Sequence, residues 1–297
     1  MPNPPHSRQP LAFLSLLLGS AAIAFAPIFV RIADTSPAAS AFWRMALASP
    51  LLWLWVFAGT RKNTPNTAHE TPQWKLLVLA GIFFAGDLAV WHWSILFTSI
   101  ANATLELNFA AIFVTLGGWL LFRERVSKRF MLALLVTFVG ATVLIGPNFS
   151  AGGTALAGDV LGILAGLFYA GYMLAIKSAT VNVSTARIMA VSTTVAAVAL
   201  GPYALLTSAH LLPQSVNGWL ILAGLALVVH VFGQSLIAYG FSHLPAALSS
   251  ASLLLQPVFA AAYAWMLLGE RLAPLQIVGG VIVLLGIYLA RRASHSS

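Results

Sequence analysis

Residues 101–145 read ANATLELNFAAIFVTLGGWLLFRERVSKRFMLALLVTFVGATVLI, and the chain writes this pattern twice. An apolar run from Ala101 to Phe122 ends in a charged turn, Arg123-Glu124-Arg125 with Lys128 and Arg129, and a second apolar run follows from Phe130 to Ile145. Glu124-Arg125 reappears as Glu270-Arg271 and Gly140 as Gly286; 270 − 124 and 286 − 140 both give 146. The same offset carries Arg31 onto Lys177, each closing an earlier apolar run. One offset serving three separated landmarks predicts a duplicated chain, and internal repeats govern every later reading.

The 297 residues are 60% hydrophobic and 7% charged, against about 25% charged residues in a soluble domain. Such a chain cannot surround its core with polar surface, so lipid must be the solvent for most of it. A net charge of +8 would suggest a nucleic-acid partner in a soluble protein. Here the basic residues sit in short loops between apolar runs, which the topology rule for membrane proteins explains better, and no nucleic-acid partner is expected. With no cysteine, disulfides, thiol catalysis and cysteine metal sites are excluded. No metal or cofactor is expected.

Residues 1–10 carry Pro2, Pro4, Pro5 and Pro10 and read as a disordered cytoplasmic tail. The next run imitates a secretory signal, with Arg8 ahead and Ala22-Ile23-Ala24 as a cleavage-like site. It continues to about twenty residues, the length that crosses a bilayer as helix, so it is read as a retained span. Ten spans are predicted, near 11–31, 38–58, 75–97, 101–122, 129–146, 157–177, 185–207, 217–240, 246–268 and 273–291. The fold class is therefore an all-α polytopic membrane protein. Residues 11–146 form one five-helix repeat and residues 157–291 the second. With the N-terminus inside, twelve of the fifteen basic residues face the cytoplasm, only Arg31 and Arg271 face out, and Arg44 lies within a span. That bias predicts both termini in the cytoplasm, and the membrane expected is a bacterial inner membrane. Five spans per repeat force the second half to cross in the opposite sense, a plan recurrent in secondary transporters, whose mirrored halves close alternately around a central site.

The paired turns Phe122-Arg123-Glu124-Arg125-Val126 and Leu268-Gly269-Glu270-Arg271-Leu272 each precede a Gly-bearing last helix, Val139-Gly140-Ala141 and Leu285-Gly286-Ile287. With Ile28-Phe29-Val30-Arg31 and Ser36-Pro37, they make the chain resemble the drug/metabolite transporter superfamily, specifically its ten-helix EamA-type permeases, from residue 11 to 292. The resemblance implies an exporter of amino acids or other small metabolites, with relatives that carry sugar nucleotides or drugs. Small multidrug relatives depend on a glutamate in their first helix; the first run here has no acidic residue, which argues against cationic drug–proton exchange.

Polar groups inside a bilayer are costly and mark function by default. On the third span Asp87, Trp91, Ser94 and Thr98 share one helical face. On the fourth, Thr104, Asn108 and Thr115 share a face, and Asn102 and Glu106 another. Tyr169 and Tyr172 line up on the sixth, His230 and Gln234 stand one turn apart on the eighth, and Ser249, Ser252, Gln256 and Tyr263 stripe the ninth. The expected substrate pathway is Asp87, Trp91, Asn108, Tyr169, Tyr172, His230, Gln234, Gln256 and Tyr263. For serines and threonines the blander reading, helix–helix hydrogen bonding, is preferred. Arg44 and Glu106 are candidate ion or carboxylate contacts, with a pairing of Arg44 to Glu106 or Asp34 as the structural alternative. In Trp91-His92-Trp93 only Trp91 joins the Asp87 face. Glu124 and Glu270 are read as turn stabilisers. Pro27 and Pro257, inside spans of opposite repeats, are candidate hinges, because a helix proline removes a backbone bond and favours a kink.

The expected function is a secondary exporter of a small metabolite, amino acids first, by alternating access. Another metabolite or drug class is the nearest alternative, followed by a channel or an intramembrane enzyme. The sequence contains no GxxxxGK loop for an ATP motor and no H-E-x-x-H, no G-x-S-x-G, and no paired intramembrane aspartates. The expected partners are the solute and lipid, and ten helices suffice to enclose a pathway in one monomer.

Overall fold

The computed structural model describes residues 9–60, 73–97, 108–124, 126–145, 155–180, 183–269 and 272–295, and all regular structure within them is helical. In order come α1 (Gln9–Ile23), α2 (Ala26–Ile32), α3 (Pro37–Thr60), α4 (Trp74–Phe97), α5 (Ala110–Phe122), α6 (Lys128–Ile145) and α7 (Ala155–Ala179). The second half adds α8 (Thr185–Thr207), α9 (Val216–Gly224), a π-helical segment (Leu225–Gln234), α10 (Ser235–His243), α11 (Ala246–Leu253), α12 (Gln256–Leu268) and α13 (Pro274–His295). Long apolar runs become helices because lipid offers the backbone no hydrogen-bond partner, and a helix satisfies every N–H and C=O internally. Large apolar side chains consequently point outward: Leu206 is 86% exposed and Leu156 74%. Eight helical stretches among the described residues are long and apolar enough to cross a bilayer. The fourth expected span is described only from Asn108 onward. The fifth, seen as α6, is not among those eight either, so the count of ten is not reached among the described residues.

The packing shows how the halves are related. A Cβ placed on Gly279 would meet the backbone of Leu144, one on Gly140 the backbone of Val283, and one on Gly286 that of Thr137. Helices α6 and α13 thus touch at backbone distance and run antiparallel. These are the two helices that the offset equates. Near-equivalent positions on α3 and α8 also meet: Ser49 and Thr194 share a 2.7 Å hydrogen bond, while Ser36 donates to Ser208 near the other end of the pair. Matched helices that pack antiparallel require the two halves to be inverted. The offset even reproduces the backbone of the turns. Arg123 (φ 54°) and Gly269 (φ 68°) are the left-handed residues among those described; both follow the last turn of a helix, where this conformation commonly closes it.

Three spans depart from the plain helices expected. The first is interrupted at Ala24-Phe25, between α1 and α2, and the ninth at Leu254-Leu255, between α11 and α12. Pro27 and Pro257 each occupy the second position of the helix after the break, where a missing N–H leaves no helical carbonyl unpaired. The third departure is the π segment, ten residues long, within the eighth span.

Both described ends of the chain lie together. The Arg291 guanidinium sits 4.2 Å above the Phe13 ring, and a Cβ on Gly240, near the end of α10, would meet Leu16 and Ala12 of α1. This side of the bundle is called the terminal end below.

Candidate functional site: a central cavity with unpaired charges

The two breaks face each other. Phe25 beside the first stacks on Tyr263 of α12 at 4.0 Å, and Ser20 of α1 donates to the carbonyl of Ser252 in α11 at 3.4 Å. Between them lies a cavity of about 120 Å³, well above the roughly 10–15 Å³ that admits one water. The first half lends it Pro27, Arg44, Asp87, Trp91 and Asn108; the second lends Tyr169, Gln234, Gln256 and Pro257. Phe84, Leu88, Leu253 and Leu254 supply apolar wall.

Arg44 is 8% exposed and Asp87 4%. Neither has an ion pair or hydrogen bond among the described residues; Arg44 Nε and Asp87 Oδ1 are buried without a partner. The guanidinium lies 5.7 Å from the Phe84 ring centroid. Around these charges Asn108 Nδ2, Gln234 Nε2 and Gln256 Nε2 are also unpaired. An orphaned buried donor or acceptor costs about 1–3 kcal/mol, and a charged one more. Such groups persist when something else occupies the space between them. One carboxylate can take an ammonium group, while a guanidinium and three amide nitrogens can take carboxylate or carbonyl oxygens. Among the described residues, unpaired donors therefore outnumber unpaired acceptors.

Other expected pathway residues lie elsewhere. Tyr172 is fully buried behind Phe84, stacked on it at 4.4 Å, with its hydroxyl directed at Met189 Sδ. His230 stacks on the same ring at 5.4 Å, and its Nε2 meets Thr193 Oγ1 at 2.7 Å. Both are packing groups behind the wall rather than lining. The π segment accounts for the parting of His230 from Gln234: bonds from i to i+5 widen the turn, so residues four apart no longer stack. Tyr263 is held beside the cavity by its ring stack on Phe25.

Asp34 accepts a 2.7 Å hydrogen bond from Ser215, so the suggested pairing with Arg44 is not made. Glu106 lies outside the described residues, as do Asn102, Thr104, Thr98, Arg125, Glu270 and Arg271. Thr115 and Ser252 bond to carbonyls of their own helices. The sequence reading missed Phe84 as a shared wall. It also missed the link from Glu124 to another helix, for which the paired basic residues Arg31 and Lys177 were the available signal.

The chain matches the EamA-like transporter family twice, over residues 10–146 and 156–292. The chain is 26% identical over 276 residues to an uncharacterized transporter of Archaeoglobus fulgidus, covering 90% of this chain and 93% of that protein. It is 27% identical over 254 residues to the pseudopaline exporter CntI of Pseudomonas aeruginosa strain UCBPP-PA14, covering 84% of each. One crystal structure superposes with a TM-score of 0.78 at 14% identity, over 98% of this chain and 99% of that one, a likeness of fold. Two family matches that meet either side of residues 147–155, on a bundle whose matched helices run antiparallel, place this membrane protein in the EamA-like transporter family.

Proposed function

We propose that the protein is a secondary exporter of small metabolites, amino acids first among them, working by alternating access from a cytoplasmic membrane with both termini inside. The observation that carries this reading is the pair of unpaired, oppositely charged groups, Arg44 and Asp87, in a cavity that both inverted halves line. An amphoteric solute supplies what each lacks: a carboxylate for Arg44 and an ammonium for Asp87. The surplus of amide donors favours solutes with more acceptor than donor groups. Broken helices at the centre fit the same scheme, because interrupted spans commonly form transporter sites at the bilayer midplane. A relative that carries the name of a metabolite exporter supports the direction of transport.

Purified protein in liposomes, challenged with a labelled panel of aliphatic, acidic and aromatic amino acids, provides the test. Counterflow is expected: unlabelled solute inside should accelerate entry of label. Exchange of another metabolite class with no amino acid would overturn the amino-acid assignment. Flux that shows no counterflow with any solute would indicate a pore.

A further inference from the structure

Glu124 follows the last turn of α5, where the left-handed Arg123 turns the chain back on itself. Its carboxylate leaves its own turn. Oε1 accepts from the N–H of Ala246 at 3.0 Å and Oε2 from that of Ala247 at 3.4 Å, the first two residues of α11. Oε1 also lies 3.1 Å from Lys177 Nζ on α7. Lys177 in turn donates to the carbonyl of Leu244 at 2.6 Å, just ahead of α11, and stands 5.7 Å from the Phe122 ring centroid. One carboxylate thus ties three helices together, capping one where its free N–H groups and dipole favour an anion.

All three helices carry cavity residues away from this knot: Ala110 and Ala111 on α5, Tyr169 on α7 and Leu253 on α11. At 1.5 Å rise per residue, the knot lies about 11–18 Å along each helix from the cavity. The ground between is sealed with small residues. Every residue of α11 is buried, Ser250 donates to the carbonyl of Ala111, and a Cβ on Gly118 would crowd both Ala246 and Glu124. The knot sits at the terminal end, since it surrounds the join between α10 and α11.

We propose that Glu124 and Lys177 form a latch that holds the terminal end shut, and that its release opens the cavity toward that end. Sliding α5, α7 and α11 apart requires the carboxylate to give up the α11 N-terminus. The repeat offset carries Glu124 and Lys177 onto Glu270 and Arg31 in sequence; Glu270 lies outside the described residues. The latch rests on the carrier reading for its part in transport, but its closure can be measured without knowing the cargo.

The chain has no cysteine, so Ser249→Cys provides a single reporter on α11. Ser249 is fully buried with an unpartnered hydroxyl. In the full-length protein in liposomes, a membrane-impermeant maleimide applied at the terminal face should label this thiol slowly. Adding Glu124→Gln should speed labelling at least tenfold. Lys177→Met provides a second route should Glu124→Gln fail to fold, as judged by size-exclusion profile and melting temperature, and should also speed labelling. The charge swap Glu124→Lys with Lys177→Glu separates a latch from a plain ion pair. A lysine at the α11 N-terminus has no acceptor for the N–H groups of Ala246 and Ala247, so the swap should stay fast. Labelling unchanged in Glu124→Gln and Lys177→Met, or restored to the slow rate by the swap, would overturn the proposal. Fast labelling without counterflow of any solute would leave the latch standing and sink the carrier reading instead.

Discussion

The same helices hold two very different polar regions. Around the cavity, Arg44, Asp87, Asn108, Gln234 and Gln256 all retain unpaired atoms. At the terminal end, the charged pair Glu124 and Lys177 has four partners within 3.4 Å: each other, two N–H groups and a carbonyl. Folding satisfies buried polar groups wherever it can, since the asymmetry between a bond made and a group orphaned is large. On the proposed reading, the unsatisfied groups collected in one place are where a solute belongs, and the satisfied ones are where the bundle must hold. Stability and activity are then expected to separate by region.

Removing a cavity charge tests that separation most severely. Asp87→Asn or Arg44→Met should cut counterflow of an amino acid by a hundredfold or so, about 2.8 kcal/mol at 1.4 kcal/mol per decade. The melting temperature should change little, because neither side chain makes a hydrogen bond or ion pair with a described residue that its loss would break. A large fall in melting temperature with counterflow intact would reverse the assignment of the two regions. Gln256→Leu should act more mildly: losing one amide donor should weaken apparent affinity about tenfold, near 1.4 kcal/mol, read from the concentration dependence of exchange. Replacing Pro257 with Ala sharpens the role of the break. Restoring an N–H at the start of α12 should slow exchange severalfold while binding is kept, and an unchanged rate would remove the hinge. The smallest effect is expected at Ser249→Ala. Its hydroxyl is buried and unpartnered, so its loss should leave exchange unaltered and raise stability by up to about 1 kcal/mol.

Much of this was legible along the chain. Composition required lipid, the offset required two halves, and an odd number of spans in each required inversion, which the antiparallel contact of α6 with α13 bears out. The charges at Asp87 and Arg44 stood out because few ionisable residues interrupt the apolar runs. Helical spacing failed where the helix itself changed. His230 and Gln234 share a face only on an ordinary α-helix, and the π segment sends one behind Phe84 and the other to the cavity. Tyr172 shows a second limit: an aromatic face reads alike in sequence whether it meets water or another ring.

Sequence alone determined the solvent, the repeat and the crossing sense, because those depend on sums over many residues that no single contact can outweigh. Tertiary structure decided which polar groups found partners, because that depends on a few ångströms between helices far apart in the chain. Glu124 illustrates the division. Its place in a turn was plain from the residues beside it, but its bonds to Ala246, Ala247 and Lys177 exist only because α5, α7 and α11 converge at one end of the bundle.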